Sequence, residues 1–304
     1  MNASAQPSIA FRTLVIVLLL AALLISGVTS AATPSGVKAG HATSKQRVAK
    51  KATKVMLKHL RHLIIDPGHG GSNKGALGFH ASREKALTLE LSKRFKQWLE
   101  AHSNVRISLT RHVDVDLALR ERPRVANQMR GDALISVHCN ASAKTSVHGM
   151  EVWFLTADSS MKVIHDIVRR EEGVPDTGPE VAKRWSANGV VEKLRHAEAH
   201  RASQAFAIAL RRGLMRARPR TRFRGIKQDA FGVLKEARMP AVVLEVGYIT
   251  HATESLELMK LRTQDALARG ILLALIDLDR AMGVQRAGQR SRASPRPAPA
   301  PRQR

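Results

Sequence analysis

The feature that most constrains the fold is the alternation of strand-like and helix-like segments along the middle of the chain. Short apolar runs typical of buried strands are "HLIID", "NVRISLTR", "DALISVHCN", "GMEVWFLT" and "AVVLEVGYIT". Helical spacing marks "EKALTLELSKRFKQWLEAH", "LALRERPRVANQMR" despite Pro123, a long region before the last strand, and the closing "TQDALARGILLALIDLDRAM". This alternation predicts an α/β fold with a mostly parallel sheet flanked by helices on both faces. At 304 residues and 44% apolar content, we expect a single main domain.

Residues 1–32 have the pattern of a secretory signal. Arg12 precedes an unbroken apolar stretch from Leu14 to Ile25, and "SGVTSAA" offers small residues for cleavage near Ala31 or Ala32. An uncleaved membrane anchor is the alternative, but the apolar run is shorter than the roughly 20 residues that span a bilayer comfortably. We therefore expect an exported protein.

Two flanks carry much of the formal net charge of +25. Residues 33–62 contain eight Lys or Arg and no acid, and residues 284–304 contain six and no acid. Both are predicted to be disordered, the first as a basic linker and the second as a Pro/Arg-rich tail, which leaves 63–283 as the folded domain. The flanks are either plain solvated segments or electrostatic contacts to anionic envelope polymers and lipid head groups. No nucleic-acid partner is expected, because export removes it and aromatic residues are only 4% of the chain.

Candidate functional residues converge on one edge of the predicted sheet. In "LIIDPGHGGSNKGALG", His69 follows the first strand among glycines, which permit close approach of a ligand. His138 and Glu245 come at the ends of two other strands, and ligands of such sheets gather at the carboxyl ends of the strands. Glu84 begins the first helix and could reach the same edge.

Two histidines and one carboxylate are an established set of ligands for catalytic zinc, which keeps a fourth position open for water. Each residue also has a structural explanation. Glu84 is an acid in a first helical turn, which the helix dipole favours, and His138 could be a hydrogen-bonded core histidine. The residues alone therefore suggest a zinc site without excluding these alternatives.

Seven blocks of the sequence resemble, in order, the type 3 catalytic domain of zinc-dependent N-acetylmuramoyl-L-alanine amidases. They are "IIDPGHGG", "EKALTLEL", "LTRHVDV", "RERPRVAN", "ISVHCNAS", "GMEVWFL" and "VVLEVGYIT", and the likeness runs from about Leu63 to Met282. The resemblance implies a twisted, roughly six-stranded sheet in a single domain. By position it implies that His69, Glu84 and His138 bind one Zn²⁺ and that Glu245 is the catalytic glutamate.

The resemblance also implies which reaction the protein catalyses and where in the cell it acts. The expected activity is hydrolysis of the amide bond between N-acetylmuramic acid and L-alanine in peptidoglycan, during cell-wall remodelling and daughter-cell separation. Glu245 would take a proton from water and return it to the departing amine. The expected location is the periplasm or the cell envelope. A zinc peptidase that cuts within the stem peptide and a non-catalytic wall-binding protein remain the alternatives.

Some residues depart from simple expectations. Cys139 stands where the family usually has alanine, and we interpret it as a small side chain at a tight strand end rather than a nucleophilic thiol. His196 and His200 have helical i, i+4 spacing, but Glu198 is not at the second position of an H-E-x-x-H motif, so they are predicted to be surface histidines. His148 is interpreted as a loop histidine, with a place in the cleft as the alternative.

Residues 158–200 form a long insertion before a helix expected to begin near Ala202. Long connections in compact domains are often lids or functional loops. The resemblance implies an inserted helical segment that places a glutamate on the zinc until an activator protein displaces it, and we assign that role to Glu171 or Glu172. A helix that merely covers the sheet is the alternative.

Overall fold

The computed structural model of the chain describes residues 53–156 and 189–293. The predicted signal peptide, most of the predicted linker, the end of the predicted tail, and Glu171 and Glu172 lie outside these residues. Within the described part, no helix combines the length and apolar character needed to cross a membrane.

The described residues form six strands and six helices. The strands are β1 (His62–Pro67), β2 (Arg106–Leu109), β3 (Ala133–Asn140), β4 (Met150–Leu155), β5 (Phe223–Asp229) and β6 (Ala241–Tyr248). The helices are α1 (Glu84–His102), α2 (Glu121–Gln128), α3 (Gly189–Ala217), α4 (Gly232–Lys235), α5 (Ala252–Met259) and α6 (Leu261–Ala293). In α2, Pro123 lies in the first turn, where its missing N–H has no intrahelical partner to lose.

The strands form one sheet in the order β2-β1-β3-β6-β4-β5. All neighbouring pairs are parallel except β4 and β6, which are antiparallel. The predicted fold class, an α/β domain with a mostly parallel sheet of about six strands, is confirmed. Because β1, β3 and β6 run in the same direction, their carboxyl ends share one edge of the sheet.

The two faces of the sheet are covered unequally. Side chains such as Leu63 and Ile65 pack on one face against the long helices α1, α3 and α6. Ile64, Leu134 and Val243 point to the other face, where they pack with residues of the short helices α2 and α4. Successive side chains of a strand point to opposite faces of the sheet. The residues two positions after Ile64, Leu134 and Val243 therefore point to the same thinly covered face, and they are polar. That face is where the candidate site lies.

The sequence patterns misplaced two elements. Strand β5 lies inside the long region predicted to be helical, because "FRGIKQD" has no apolar run and only half-buried or exposed residues at the sheet edge. The helix expected to begin near Ala202 begins earlier, at Gly189. Residues 189–200 of the predicted insertion therefore belong to α3.

The folded domain also extends beyond both predicted boundaries, at 63 and 283. Leu57 and Leu60 are buried in the main core, and α6 continues through Ala293. The segment before β1 is held by Asp279 of α6, whose carboxylate accepts the backbone N–H groups of Lys58, His59 and Leu60 at 3.1, 2.5 and 2.7 Å. The basic residues of this segment made it resemble a solvated linker, whereas its backbone is fixed by an acid more than 200 residues away.

Asp279→Asn should lower the free energy of unfolding by about 1 to 3 kcal/mol, the cost of weakening hydrogen bonds to a buried charged acceptor. Burial alone would raise the pKa of Asp279, but the three backbone N–H donors outweigh it and lower the pKa. The stabilisation is therefore present above the unfolded-state pKa of about 4 and is lost as the pH falls through the lower folded-state pKa. Denaturant titrations of wild type and variant should converge in acid.

Asp277→Asn is the matched control on the same helix, since the one contact of Asp277 among the described residues is a 3.7 Å ion pair with the exposed Arg280. Its effect should stay within about 1 kcal/mol. This role for Asp279 would be refuted if the two variants lost the same free energy of unfolding, or if the loss in Asp279→Asn did not change with pH.

Candidate metal centre

The loop after β1 lies close against the candidate ligands because it contains glycine at two critical points. A Cβ atom on Gly68 would lie 2.4 Å from Cε1 of His138. Gly75 has a φ of +63°, and a Cβ there would lie 2.7 Å from Cδ2 of His69. His69 itself has a φ of 58°, a conformation uncommon for residues other than glycine. The loop backbone thus turns His69 toward the sheet edge.

The structure brings His69, Glu84 and His138 together. Nε2 of His69 lies 3.0 Å from Oε2 of Glu84, and Nδ1 of His138 lies 3.2 Å from Oε1. The two imidazole centroids are 4.9 Å apart with an angle of 76° between the rings. One donor atom from each residue lies within 4.8 Å of the others, which is close enough for all three to hold one metal ion.

Backbone groups orient the carboxylate of Glu84. Its Oε2 accepts the N–H of Ala76 at 3.0 Å, and its Oε1 accepts the N–H of Cys139 at 3.0 Å. Glu84 is the first residue of α1, as predicted, and is only 5% exposed. A single side chain therefore connects the loop after β1 to the end of β3.

The electrostatics of the cluster favour a charged carboxylate. Burial alone would raise the pKa of Glu84, but hydrogen bonds with His138 and His69 outweigh it and hold the pKa well below its ordinary value. Burial would lower the pKa of His69, whereas its hydrogen bond with Glu84 raises the pKa above the ordinary value. Two imidazole nitrogens and one anionic oxygen are donors that suit zinc, and the histidine side chains, 22% and 21% exposed, keep one side open.

Two buried arginines that the sequence analysis did not identify fix the loop. Arg122 of α2 donates from Nη1 to Asp66 at 3.0 Å and to the carbonyl of Pro67 at 2.8 Å, and from Nη2 to the carbonyls of His69 and Leu117 at 2.8 and 3.0 Å. Four acceptors around one guanidinium tie α2 to the backbone of a candidate ligand.

Arg111 binds the backbone of the loop just before His69. It donates from Nε to the carbonyl of Pro67 at 3.0 Å and from Nη2 to the carbonyls of Gly68 and Lys85 at 2.7 and 2.9 Å. The carbonyl of Gly68 also accepts the hydroxyl of Thr88 at 2.8 Å. The loop thus obtains side-chain partners for carbonyls that no strand or helix satisfies.

Glu245 lies on the strand next to His138. In the β3–β6 register it is directly opposite His138, and in the β6–β4 register it is directly opposite Glu151. Neighbouring strands are about 4.8 Å apart, and alternation from Val243 places Glu245 on the thinly covered face with the cluster. The partly buried carboxylate therefore borders the predicted metal position.

Beyond Glu245, the sheet carries an ion network that the sequence analysis also missed. Glu151 is fully buried and accepts Nε of Arg224 at 2.9 Å and the hydroxyl of Tyr248 at 3.0 Å, while Nζ of Lys227 lies 3.0 Å from its other oxygen. Burial alone would raise the pKa of Glu151, but these partners lower it; burial and the hydrogen bond to Glu151 raise the pKa of Tyr248 to about 12. The available signal was an acid inside the apolar run "GMEVWFL".

The remaining candidates lie outside the cluster. Cys139 is buried, and burial raises the pKa of its thiol well above the ordinary value, which supports a packing role. His148 lies beside His251, with ring centroids 5.1 Å apart. His200 is partly buried, and its ring centroid lies 5.3 Å from that of Phe154. It is therefore not the surface histidine that was predicted. The side chain of His196 lies outside the described part of α3.

Fold and site together define an α/β protein with a candidate metal-binding set at the carboxyl ends of its strands. A family model described as N-acetylmuramoyl-L-alanine amidase, Amidase_3, matches residues 63–277. The chain belongs to this family, which confirms the resemblance found in the sequence.

Named relatives agree with this assignment. The amidase AmiC of Escherichia coli O6:H1 is 24% identical over 219 residues, which cover 70% of this chain and 51% of the relative, so the match spans about half of that protein. The amidase AmiA of E. coli K12 is 26% identical over 266 residues, covering 83% of this chain and 88% of the relative.

Solved structures share the architecture. The catalytic domain of the amidase CwlV from Bacillus (Paenibacillus) polymyxa has a TM-score of 0.53 and 25% identity, covering 71% of this chain and 96% of that one. The amidase AmiC2 of Nostoc punctiforme has a TM-score of 0.51 and 26% identity, covering 70% and 95%. The likeness thus spans nearly the whole of both solved chains.

Arg122→Lys should destabilise the protein by about 2 to 4 kcal/mol and weaken metal binding at the candidate centre, because one ammonium cannot replace four directed contacts around a buried guanidinium. Arg124→Lys, two residues further along α2, is the control, since the side chain of Arg124 is partly exposed and, within the described part of the chain, pairs with Glu121 and Glu236. Thermal unfolding and zinc titration of both variants test this. Indistinguishable behaviour of the two would show that Arg122 does not support the loop.

Proposed function

We propose that the chain is a zinc-dependent hydrolase of the amide bond between N-acetylmuramic acid and L-alanine in peptidoglycan. The observation that carries the proposal is that the family match spans residues 63–277, which contain both the His–Glu–His cluster and Glu245. Peptidoglycan is the substrate that the family description implies, and no described feature favours a different substrate class.

In this proposal His69, Glu84 and His138 hold one Zn²⁺. Bound zinc supplies Lewis acidity, which polarises a carbonyl and makes water more acidic near neutral pH. The backbone N–H groups of Ala76 and Cys139 fix the direction of the Glu84 carboxylate, and such support of a ligand preserves its geometry and affinity.

Glu245 is the proposed general base and then the general acid. Its place opposite His138 puts a carboxylate at the edge of the cluster, where it can accept a proton from the attacking water. The same group returns that proton to the nitrogen of the departing amine. One carboxylate then serves both proton transfers, because the proton accepted in the first step is the one needed in the second.

We also propose export to the periplasm or cell envelope through the predicted signal in residues 1–32. The basic flanks would hold the enzyme near anionic envelope polymers. The relatives are named N-acetylmuramoyl-L-alanine amidases, and a peptidoglycan substrate outside the cytoplasmic membrane agrees with this location. A role in daughter-cell separation and an activator protein stay predictions.

Three glutamate variants test the proposed roles. Glu245→Gln should keep zinc and lose a factor of about 10² to 10⁴ in kcat, because only proton transfer is removed. Glu84→Gln should lose zinc together with activity. Glu90→Gln, an exposed position on the same helix as Glu84, should change neither. Metal analysis and hydrolysis of a soluble muramyl peptide measure both properties, and an active Glu245→Gln enzyme would contradict the mechanism.

The prediction for Glu171 and Glu172 concerns residues outside the described part. If one of them occupies the open metal position, replacing both with alanine should raise hydrolysis of purified wall without any activator, since water regains that position. Glu180→Ala, in the same stretch, is the control. Unchanged or lower activity of the double variant would reject this regulation.

A further inference from the structure

The ion network around Glu151 places two cations beside the candidate site. Nε of Arg224 lies 2.9 Å from one oxygen of the buried Glu151 carboxylate, and Nζ of Lys227 lies 3.0 Å from the other. With Glu245, which is directly opposite Glu151 on β6, the four side chains have no net formal charge. What distinguishes the two cations from the two acids is therefore their exposure and their position.

Both cations also remain accessible to a ligand. The side chains of Arg224 and Lys227 are 27% and 40% exposed, whereas that of Glu151 is 1% exposed. Arg224 donates its hydrogen bond to Glu151 through Nε. Among the described residues, no acceptor is found for the N–H groups of its two terminal nitrogens. Nζ of Lys227 lies 4.6 Å from the ring centroid of Trp153, which restricts its position over the same face.

The backbone aims Arg224 at this position. The β4–β5 register pairs Met150 with Phe223 and Glu151 with Gly225, so Arg224 is the additional residue of an irregularity in the ladder. Such bulges redirect a side chain and are frequent next to functional sites. Tyr248 of β6 supports this side chain, since the centroid of its ring lies 5.4 Å from the guanidinium carbon of Arg224.

The network continues the row of functional groups across the sheet. His138, Glu245, Glu151 and Gly225 are successive partners on β3, β6, β4 and β5. At about 4.8 Å per strand, the backbone of β5 lies about 10 Å from that of β6, and the side chains of Arg224 and Lys227 reach back from β5 to Glu151 on β4. A span of about 10 Å is the length of about three residues of extended peptide, which is the upper limit for the distance from Glu245 to the cations.

The direction of the row identifies which part of a substrate would reach the cations. This step rests on the proposed function, in which Glu245 protonates the departing amine. The amine belongs to the peptide, so the peptide lies on the Glu245 side of the cluster and extends toward β4 and β5. The acyl portion lies on the opposite side.

We propose that Arg224 and Lys227 bind a free carboxylate of the peptide portion, within about three residues of the scissile amide, and that the buried Glu151 is the positioning residue that holds both cations. A guanidinium and an ammonium held side by side on one buried carboxylate are suited to bind a second carboxylate through charge-assisted hydrogen bonds. The enzyme thereby selects acidic peptides over neutral ones.

The test uses two soluble muramyl tripeptides that differ only in whether their peptide carboxylates are free or amidated. Wild-type enzyme should show a KM about tenfold higher for the amidated substrate, with kcat little changed, because the contact lies away from the reacting bond. The double variant Arg224→Gln/Lys227→Gln should lose this discrimination. Lys227→Arg, which keeps the charge, should retain most of it.

Arg220→Gln is the charge-matched control, since Arg220 is exposed in the turn before β5. It should discriminate as the wild type does, and thermal unfolding of each variant confirms that it is folded. Equal KM values for the two substrates in the wild type, or unchanged discrimination in a folded double variant, would show that the cations serve only Glu151. If the wild type hydrolyses neither substrate, the proposed function itself fails, and this inference fails with it.

Discussion

The carboxylate of Glu84 connects parts of the chain that are far apart in sequence, and the candidate site depends on that connection. Its two oxygens contact His69 and Ala76 in the loop after β1, and His138 and Cys139 at the end of β3. Glu84 is also the first residue of α1, and the apolar side chains of α1 pack on the sheet. A fold that buries α1 therefore also places the acid between the two histidines.

Burying this carboxylate carries a free-energy cost that the surrounding contacts have to offset. A charged group removed from water is tolerated only when it is paired and hydrogen-bonded, and Glu84 has both kinds of partner. The same rule explains the arginines, because Arg111 and Arg122 donate hydrogen bonds to backbone carbonyls of the loop after β1. The loop can thus keep an uncommon backbone conformation at His69, which is the condition for a preorganised metal site.

The sequence predicted what depends on local pattern. Strand–helix alternation predicted the α/β class, and the positions of His69, His138 and Glu84 relative to strands and helix predicted that they would converge. The sequence did not reveal the side-chain partners that hold other distant segments together. Asp279 satisfies the backbone before β1, and Glu151 gathers cations from β5, which itself has no apolar run. Such partners follow from the packing of a helix on a distant segment in the first case and from the register of the sheet in the second, and local periodicity contains neither.

The central claim is that a zinc ion on His69, Glu84 and His138 serves cleavage between the glycan and the first alanine. Mass spectrometry of the products from purified peptidoglycan, with zinc measured in the same enzyme preparation, tests it most directly. We predict one zinc per chain and released peptides that begin with L-alanine, with the glycan strands intact and activity lost when zinc is removed by chelation. Peptides cut within the stem, or full activity without bound zinc, would contradict it.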